Sequence, residues 1–169
     1  NLPKPLREPE FEKNTSILSV LRKQDVLLHF PYQSFDYLLR FLMQSAFDPK
    51  VIEIKVTQYR VAENSAVINS LLSAAKNGKK VTVFVELKAR FDEENNYFSS
   101  ELMQQAGIKI IYSLPGLKVH AKVAYVRKRS NDPEQPIKGY AYLGTGNFNE
   151  KTARIYSDKG LLTSNREII

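Results

Sequence analysis

The sequence has no cysteine, which excludes a disulfide framework, a cysteine nucleophile and every thiolate metal site. Only two histidines occur, His29 and His120, too few for a histidine-rich zinc centre built by this chain alone. No apolar run reaches the ~18–20 residues that span a bilayer, and the opening Asn1-Leu2-Pro3-Lys4 has no signal-peptide core. A soluble, cytoplasmic protein is the expectation. An initiator methionine is also missing, and the sequence stops at Ile168-Ile169 just after a strand-like segment. It therefore reads as a piece of a longer protein, with part of any active site expected from elsewhere.

What is present belongs to an ordinary globular domain. The 169 residues suit a single core, and 43% hydrophobic and 25% charged residues, with nine Tyr and nine Phe, exclude a wholly disordered or collagen-like chain. Lys and Arg total 25 against 18 acidic residues, a net charge of +7. That excess points to a polyanionic partner without saying which.

Along the chain, residues 1–13 carry three prolines and little periodicity and read as an extended linker, leaving 14–169 as the domain. Thr15–Lys23 reads as a short helix and Asp25–Phe30 as a strand or turn. The spacing of Phe35, Leu38, Leu39, Leu42, Met43 and Ala46 predicts a helix with Ser34 as its N-cap. A regular alternation follows: strand 51–57, helix 65–77 stopping at Gly78, strand 81–87, helix 92–106 stopping at Gly107, strand 108–112. Two βαβ units in a row predict parallel strands with right-handed crossovers in an α/β sandwich. Lys118–Arg127 then alternates over ten residues and, with Gly139–Gly144, predicts a β-hairpin with a polar tip; Gly160–Thr163 reads as a last strand.

His120 is the candidate centre. On a strand, residues two apart share a face at ~7 Å, so His120 and Lys122 would project together. A neutral imidazole nitrogen is a nucleophile for phosphorus, and an adjacent ammonium stabilises phosphoryl charge. The alternative is a half-buried strand histidine with no role. Lys118, Lys122, Arg127, Lys128 and Arg129, with no acidic residue among 118–129, would surround the imidazole with positive field, or else form a solvated basic hairpin. The segment Gly144-Thr145-Gly146-Asn147-Phe148-Asn149 offers close backbone approach and the Asn147 and Asn149 amides to phosphate oxygens, or is simply a turn.

Arg60 and Arg90 fall at or just beyond the carboxyl ends of predicted parallel strands, the edge where open α/β sheets bind ligands, and as a pair they suit a phosphate clamp. Asp92, Glu93 and Glu94 read first as charge at a helix N-terminus, with a magnesium role as the weaker reading. His29 reads as packed or hydrogen-bonded rather than catalytic. Tyr156 and Arg154 offer an aromatic face and a cation to a nucleotide base.

The segments GLKVHAKV, YLGTGNFNEKTARIYSDKGLLT, TQYRVAENS and NGKKVTVFVELKARFDEENN resemble the catalytic core of bacterial polyphosphate kinases over nearly the whole chain. The resemblance implies the first of two C-terminal domains, each like one half of phospholipase D. The implied fold is a phospholipase D-like sandwich, a mixed, mostly parallel sheet flanked by helices, with a hairpin carrying the His-x-Lys motif. It further implies reversible transfer of the terminal phosphate of ATP to polyphosphate through a phosphohistidine at His120, and Mg²⁺ as cofactor. Arg60 and Arg90 match the family's magnesium and phosphate positions. Being cations, they would act on Mg-bound phosphate rather than as metal ligands. Tyr156 matches a nucleotide-contacting tyrosine. An N-terminal domain and a second C-terminal domain bearing another histidine are implied partners outside this sequence, as is homo-oligomerisation of the full-length chain. The isolated piece is thus expected to bind ATP weakly or not at all and to be inactive alone; membrane association when full length is left open. The phospholipase D pattern places an aspartate where this sequence has Arg127, which argues against diester hydrolysis. The rivals are a phospholipase D-like nuclease or lipid hydrolase half-site, and a non-catalytic nucleic-acid-binding module; a specific nucleic-acid partner is not expected.

Overall fold

A computed structural model of the chain describes residues 4–14, 16–58, 65–86, 93–114 and 120–169. Arg60, Arg90, Asp92 and Lys118 lie outside them, as do the side chains of Glu93 and Glu94. In chain order the elements are α1 (Pro9–Lys13), α2 (Ile17–Leu21), β1 (Val26–Phe30), α3 (Asp36–Phe47), β2 (Val51–Gln58), α4 (Ala66–Lys76), β3 (Lys80–Val85), α5 (Glu93–Gln105), β4 (Lys109–Tyr112), β5 (Lys122–Arg129), β6 (Ile137–Gly144), a 3-10 turn (Thr152–Arg154) and β7 (Asp158–Thr163).

The seven strands form one sheet in the order β1-β7-β6-β5-β2-β3-β4. The two βαβ units pair parallel, β2 with β3 and β3 with β4, as the alternation of strand and helix predicts. The other four neighbouring pairs are antiparallel, so β1, β6, β2, β3 and β4 run one way and β5 and β7 the other. Helices α4 and α5 end at Gly78 (φ +76°) and Gly107 (φ +82°), left-handed positions that glycine takes without the Cβ penalty. The core lies where α2, α3 and α4 meet one face of the sheet: Leu38, Phe41 and Leu42 of α3 and Val67 and Leu71 of α4 are fully buried, as are Leu28, Ile54, Val83, Ala124 and Leu162 from five strands. Among the described residues no helix is long and apolar enough to cross a membrane.

Three expectations need correction. Residues 9–13 are a helical turn rather than extended linker: Phe11 is fully buried against Tyr37 (ring centroids 5.2 Å apart), and the Tyr37 hydroxyl accepts from the Glu8 N–H at 2.8 Å. One buried aromatic outweighs the extended bias of the prolines. At α3 the cap residue is Phe35, with no side-chain bond of its own; the Ser34 hydroxyl instead accepts from the Asp36 N–H at 3.1 Å. The third concerns the hairpin, whose first strand starts at Lys122: His120 and Ala121, which the alternation places on it, precede it, and Lys118 and Val119 lie outside the described residues.

Candidate active site

The register gathers the chemistry-bearing residues at one rim. Val56 pairs with Ala124, and Lys122 with Gly144, which in turn pairs with Gly160. The carboxyl ends of β1, β2 and β6 and the amino ends of β5 and β7 therefore lie along a single edge of the sheet.

His120 sits on this rim, exposed, in the segment leading into β5 rather than on the strand itself. A latch fixes that segment: the Thr57 hydroxyl donates to the Ala121 carbonyl at 2.6 Å and accepts from the Val123 N–H at 2.9 Å. Lys122, the first residue of β5, points the other way in environment; it is 6% exposed, on the core-facing side with Ala124 and Val126. The ladder-based expectation that both side chains stand on one strand face is thus replaced by an exposed imidazole beside a buried ammonium. Burial pushes the Lys122 pKa below the usual lysine value, and the Asp158 carboxylate pulls it back upward.

Asp158, at the start of β7, also organises the loop after β6. It accepts from the Thr145 hydroxyl at 2.8 Å, and Thr145 pairs with Lys159 through Thr145 N–H to carbonyl (2.9 Å) and Lys159 N–H to hydroxyl (2.9 Å). Gly146 passes so near that a Cβ there would lie 2.3 Å from Asp158 Oδ2, so only glycine fits. Phe148 anchors the loop from below, buried against Tyr142 at 5.6 Å between centroids. The loop ends on the N-terminus of α4, where Glu150 Oε1 accepts from the Ser65 hydroxyl (3.0 Å) and the Val67 N–H (3.2 Å). Negative charge is favourable there.

The two asparagines part company. Asn149 Oδ1 accepts from the Lys151 and Thr152 N–H groups at 3.0 and 3.1 Å, capping the 3-10 turn, so its oxygen is committed to the fold. Asn147 Oδ1 is buried without a hydrogen-bond partner, as is Glu150 Oε2. Tyr156 is 62% exposed on the same rim, just after the turn. His29 also reaches the rim, exposed, with Nε2 3.0 Å from the Ser157 hydroxyl and its ring edge-on to Tyr32. It is hydrogen-bonded, as expected.

The cations of the hairpin are not where their closeness in sequence puts them. Arg127 is spent on the buried Glu53 carboxylate at 3.0 Å, and Lys128 on Asp48. Since a strand rises ~3.3 Å per residue, Arg129 stands about 23 Å from Lys122, at the opposite edge of the sheet. The expected positive field around His120 from residues 127–129 is therefore corrected. Sequence reading also missed Asp158 and Thr57: one lies 36 residues from Lys122 in sequence and the other on a different strand, and neither stands in a local pattern.

The mixed sheet, with an exposed imidazole, a desolvated ammonium and a glycine-bearing loop on its rim, has the phospholipase D-like fold. Solved structures agree on the fold: a phospholipase D family member, Nuc of Salmonella typhimurium, superposes with TM-score 0.63 at 16% identity over 84% of this chain and 83% of its own. The polyphosphate kinase of Porphyromonas gingivalis superposes with TM-score 0.85 at 55% identity, over 98% of this chain and 27% of its own. Residues 16–169 match the family described as polyphosphate kinase C-terminal domain 1, and the chain belongs to that family. Among curated relatives, the polyphosphate kinases of Vibrio vulnificus and Yersinia pestis are 49% and 50% identical over 97% and 99% of this chain. The chain spans only 23% and 24% of their lengths.

Proposed function

We propose that this domain carries the phosphoryl-accepting histidine of an ATP:polyphosphate phosphotransferase whose remaining domains lie outside the sequence. The observation that carries the reading is His120, exposed on the rim directly ahead of the desolvated Lys122, in a chain that matches the polyphosphate kinase family over residues 16–169. In the proposed step a ring nitrogen lone pair of His120 attacks the γ-phosphorus in line. The bond from phosphorus to the β,γ-bridging oxygen breaks, ADP leaves with that electron pair, and the ring gives up its N–H proton to solvent. A terminal oxygen of polyphosphate then attacks the same phosphorus, the P–N bond breaks and the ring recovers a proton. The reverse sequence makes ATP from polyphosphate and ADP.

Lys122, buried two residues after His120, is assigned the stabilisation of phosphoryl charge, and the Asp158 carboxylate pulls its pKa back upward against burial. Asn147 offers its amide to a phosphate oxygen, and Tyr156 presents an exposed ring to the nucleotide. Arg60 and Arg90, outside the described residues, are assigned to phosphates by resemblance alone. Among the described residues no three His, Asp or Glu side chains gather as a metal site. Mg²⁺ is assigned by resemblance to the ATP phosphates, as part of the substrate.

The test uses the full-length protein and γ-³²P-labelled ATP. Label stable to base, labile to acid and chased onto ADP is expected, and it should vanish in His120→Ala. Acid-stable label, or label retained by that variant, would reject the histidine route.

A further inference from the structure

The displaced hairpin cations line a cleft of their own. At the edge of the sheet opposite His120, between the end of α2, the start of β2 and the hairpin tip, lies a cavity of about 290 Å³. Its lining brings together Arg22, Lys50, Lys128, Arg129 and Lys138 around one carboxylate, Asp132. Lys128 is neutralised by Asp48, and Lys138 stands 4.0 Å from Asp132. Lys50 is held by a neutral partner, Asn131 Oδ1, at 3.0 Å and, among the described residues, takes part in no ion pair. Arg22 and Arg129 are exposed, and among the described residues neither takes part in an ion pair. Three stretches far apart in sequence, at Arg22, Lys50 and the hairpin residues 128–138, thus converge to leave three cations over one trough.

We propose that this cleft is a second binding site for an inorganic polyphosphate chain, distinct from the rim that carries His120; it rests on the polyphosphate reading above. A slender polyanion fits the chemistry. The cavity falls just below the ~300–1,000 Å³ of pockets that hold drug-sized ligands, and its lining is cationic rather than apolar. Nucleic acid is the poorer occupant, because base stacking needs an exposed aromatic face and the one aromatic of the lining, Tyr140, is 1% exposed. A chain long enough to cover the about 23 Å between the edges engages both sites, and the second contact then forms at high effective concentration. A short chain engages only one. The site accordingly discriminates by length and holds a growing product on the enzyme.

The experiment compares full-length wild type with Arg22→Ser/Arg129→Ser and with Arg22→Lys/Arg129→Lys, each checked for an unchanged melting temperature. Affinity for long-chain polyphosphate and for tripolyphosphate is measured across a salt series, with single-stranded RNA as competitor. The serine pair should lose about 10-fold in long-chain affinity, and its slope of log affinity on log salt should fall by about 1.4–1.8. Tripolyphosphate affinity and the KM for ATP should not change, product chains should become shorter, and the lysine pair should behave as wild type. Unchanged long-chain affinity, or an equal loss for both chain lengths, would overturn the second site while leaving the phosphotransfer reading intact. A loss confined to RNA would overturn the choice of polymer. Failure of the wild type to bind or make polyphosphate would remove the functional reading and this inference with it.

Discussion

Lys122 sets chemistry against stability within one side chain. A lysine only 6% exposed is costly to bury with its charge, and Asp158 offsets only part of that cost. Replacing it by Met in the full-length enzyme should lower kcat about 10²–10³-fold, the range seen when a preorganised charge facing the transferring group is removed. The melting temperature should hold or rise by about 2–4 °C, the shift that ~1 kcal/mol makes in a domain of this size. The sign with pH is fixed. A lysine whose folded pKa is lowered carries its penalty below that pKa and loses it as pH rises toward the usual ~10.4, so the Met variant's gain should shrink in alkali. Calorimetry across pH checks both points; a large loss of stability in Lys122→Met would show that the ammonium is structural.

At the scale of elements, the loop after β6 has two jobs that substitutions separate. Asn149→Ala removes the acceptor for two N–H groups and should cost ~1 kcal/mol by chemical denaturation, whereas Asn149→Asp keeps the acceptor and should cost little. In the neighbouring β7, Gly160→Ala would set a Cβ 2.4 Å from the Tyr142 ring; with backbone and a buried aromatic both resisting, a loss of about 1–3 kcal/mol is expected. The same loop shows what a sequence reveals. Strands β2 and β3 and helix α4 were readable because one face of each is buried, so polarity alternates with the period of the element, and glycines mark the ends of α4 and α5. The start of β5 was not readable. Lys118–Arg127 alternates throughout, yet the strand begins where the Thr57 hydroxyl, from β2, takes over bonds at Ala121 and Val123. Periodicity reports burial, not where a neighbouring strand stops pairing. Phe11 was hidden among prolines for the same reason, its partner Tyr37 lying on another helix.

Across the whole molecule, the register of the sheet separates two charged regions that the sequence runs together. The His120 rim holds a buried lysine and an organising carboxylate, while the cations of the hairpin serve Glu53, Asp48 or the distant cleft. Burial alone would raise the carboxyl pKa values of Asp48 and Glu53. The bonds from Lys128 and Arg127, with further help from nearby lysines, outweigh it and hold both below the ordinary range. Carboxyls lowered on folding contribute stability that is complete above their unfolded values near ~4 and is lost as pH falls through the lowered folded values. Stability should therefore fall steeply below about pH 4. Glu53→Gln should flatten that limb and cost about 1–2 kcal/mol at neutral pH, discounted because Arg127 is 40% exposed. An unaltered acid limb would refute this account of the Glu53 cluster.

The claim on which the rest depends is that phosphate passes through His120. The most direct measurement digests the full-length protein under alkaline conditions after brief exposure to ATP and maps the phosphate by tandem mass spectrometry. The account predicts an increment of one phosphate on the peptide holding His120, absent after a chase with ADP. Phosphate on any other residue, His29 included, with His120 unmodified during turnover, would contradict it.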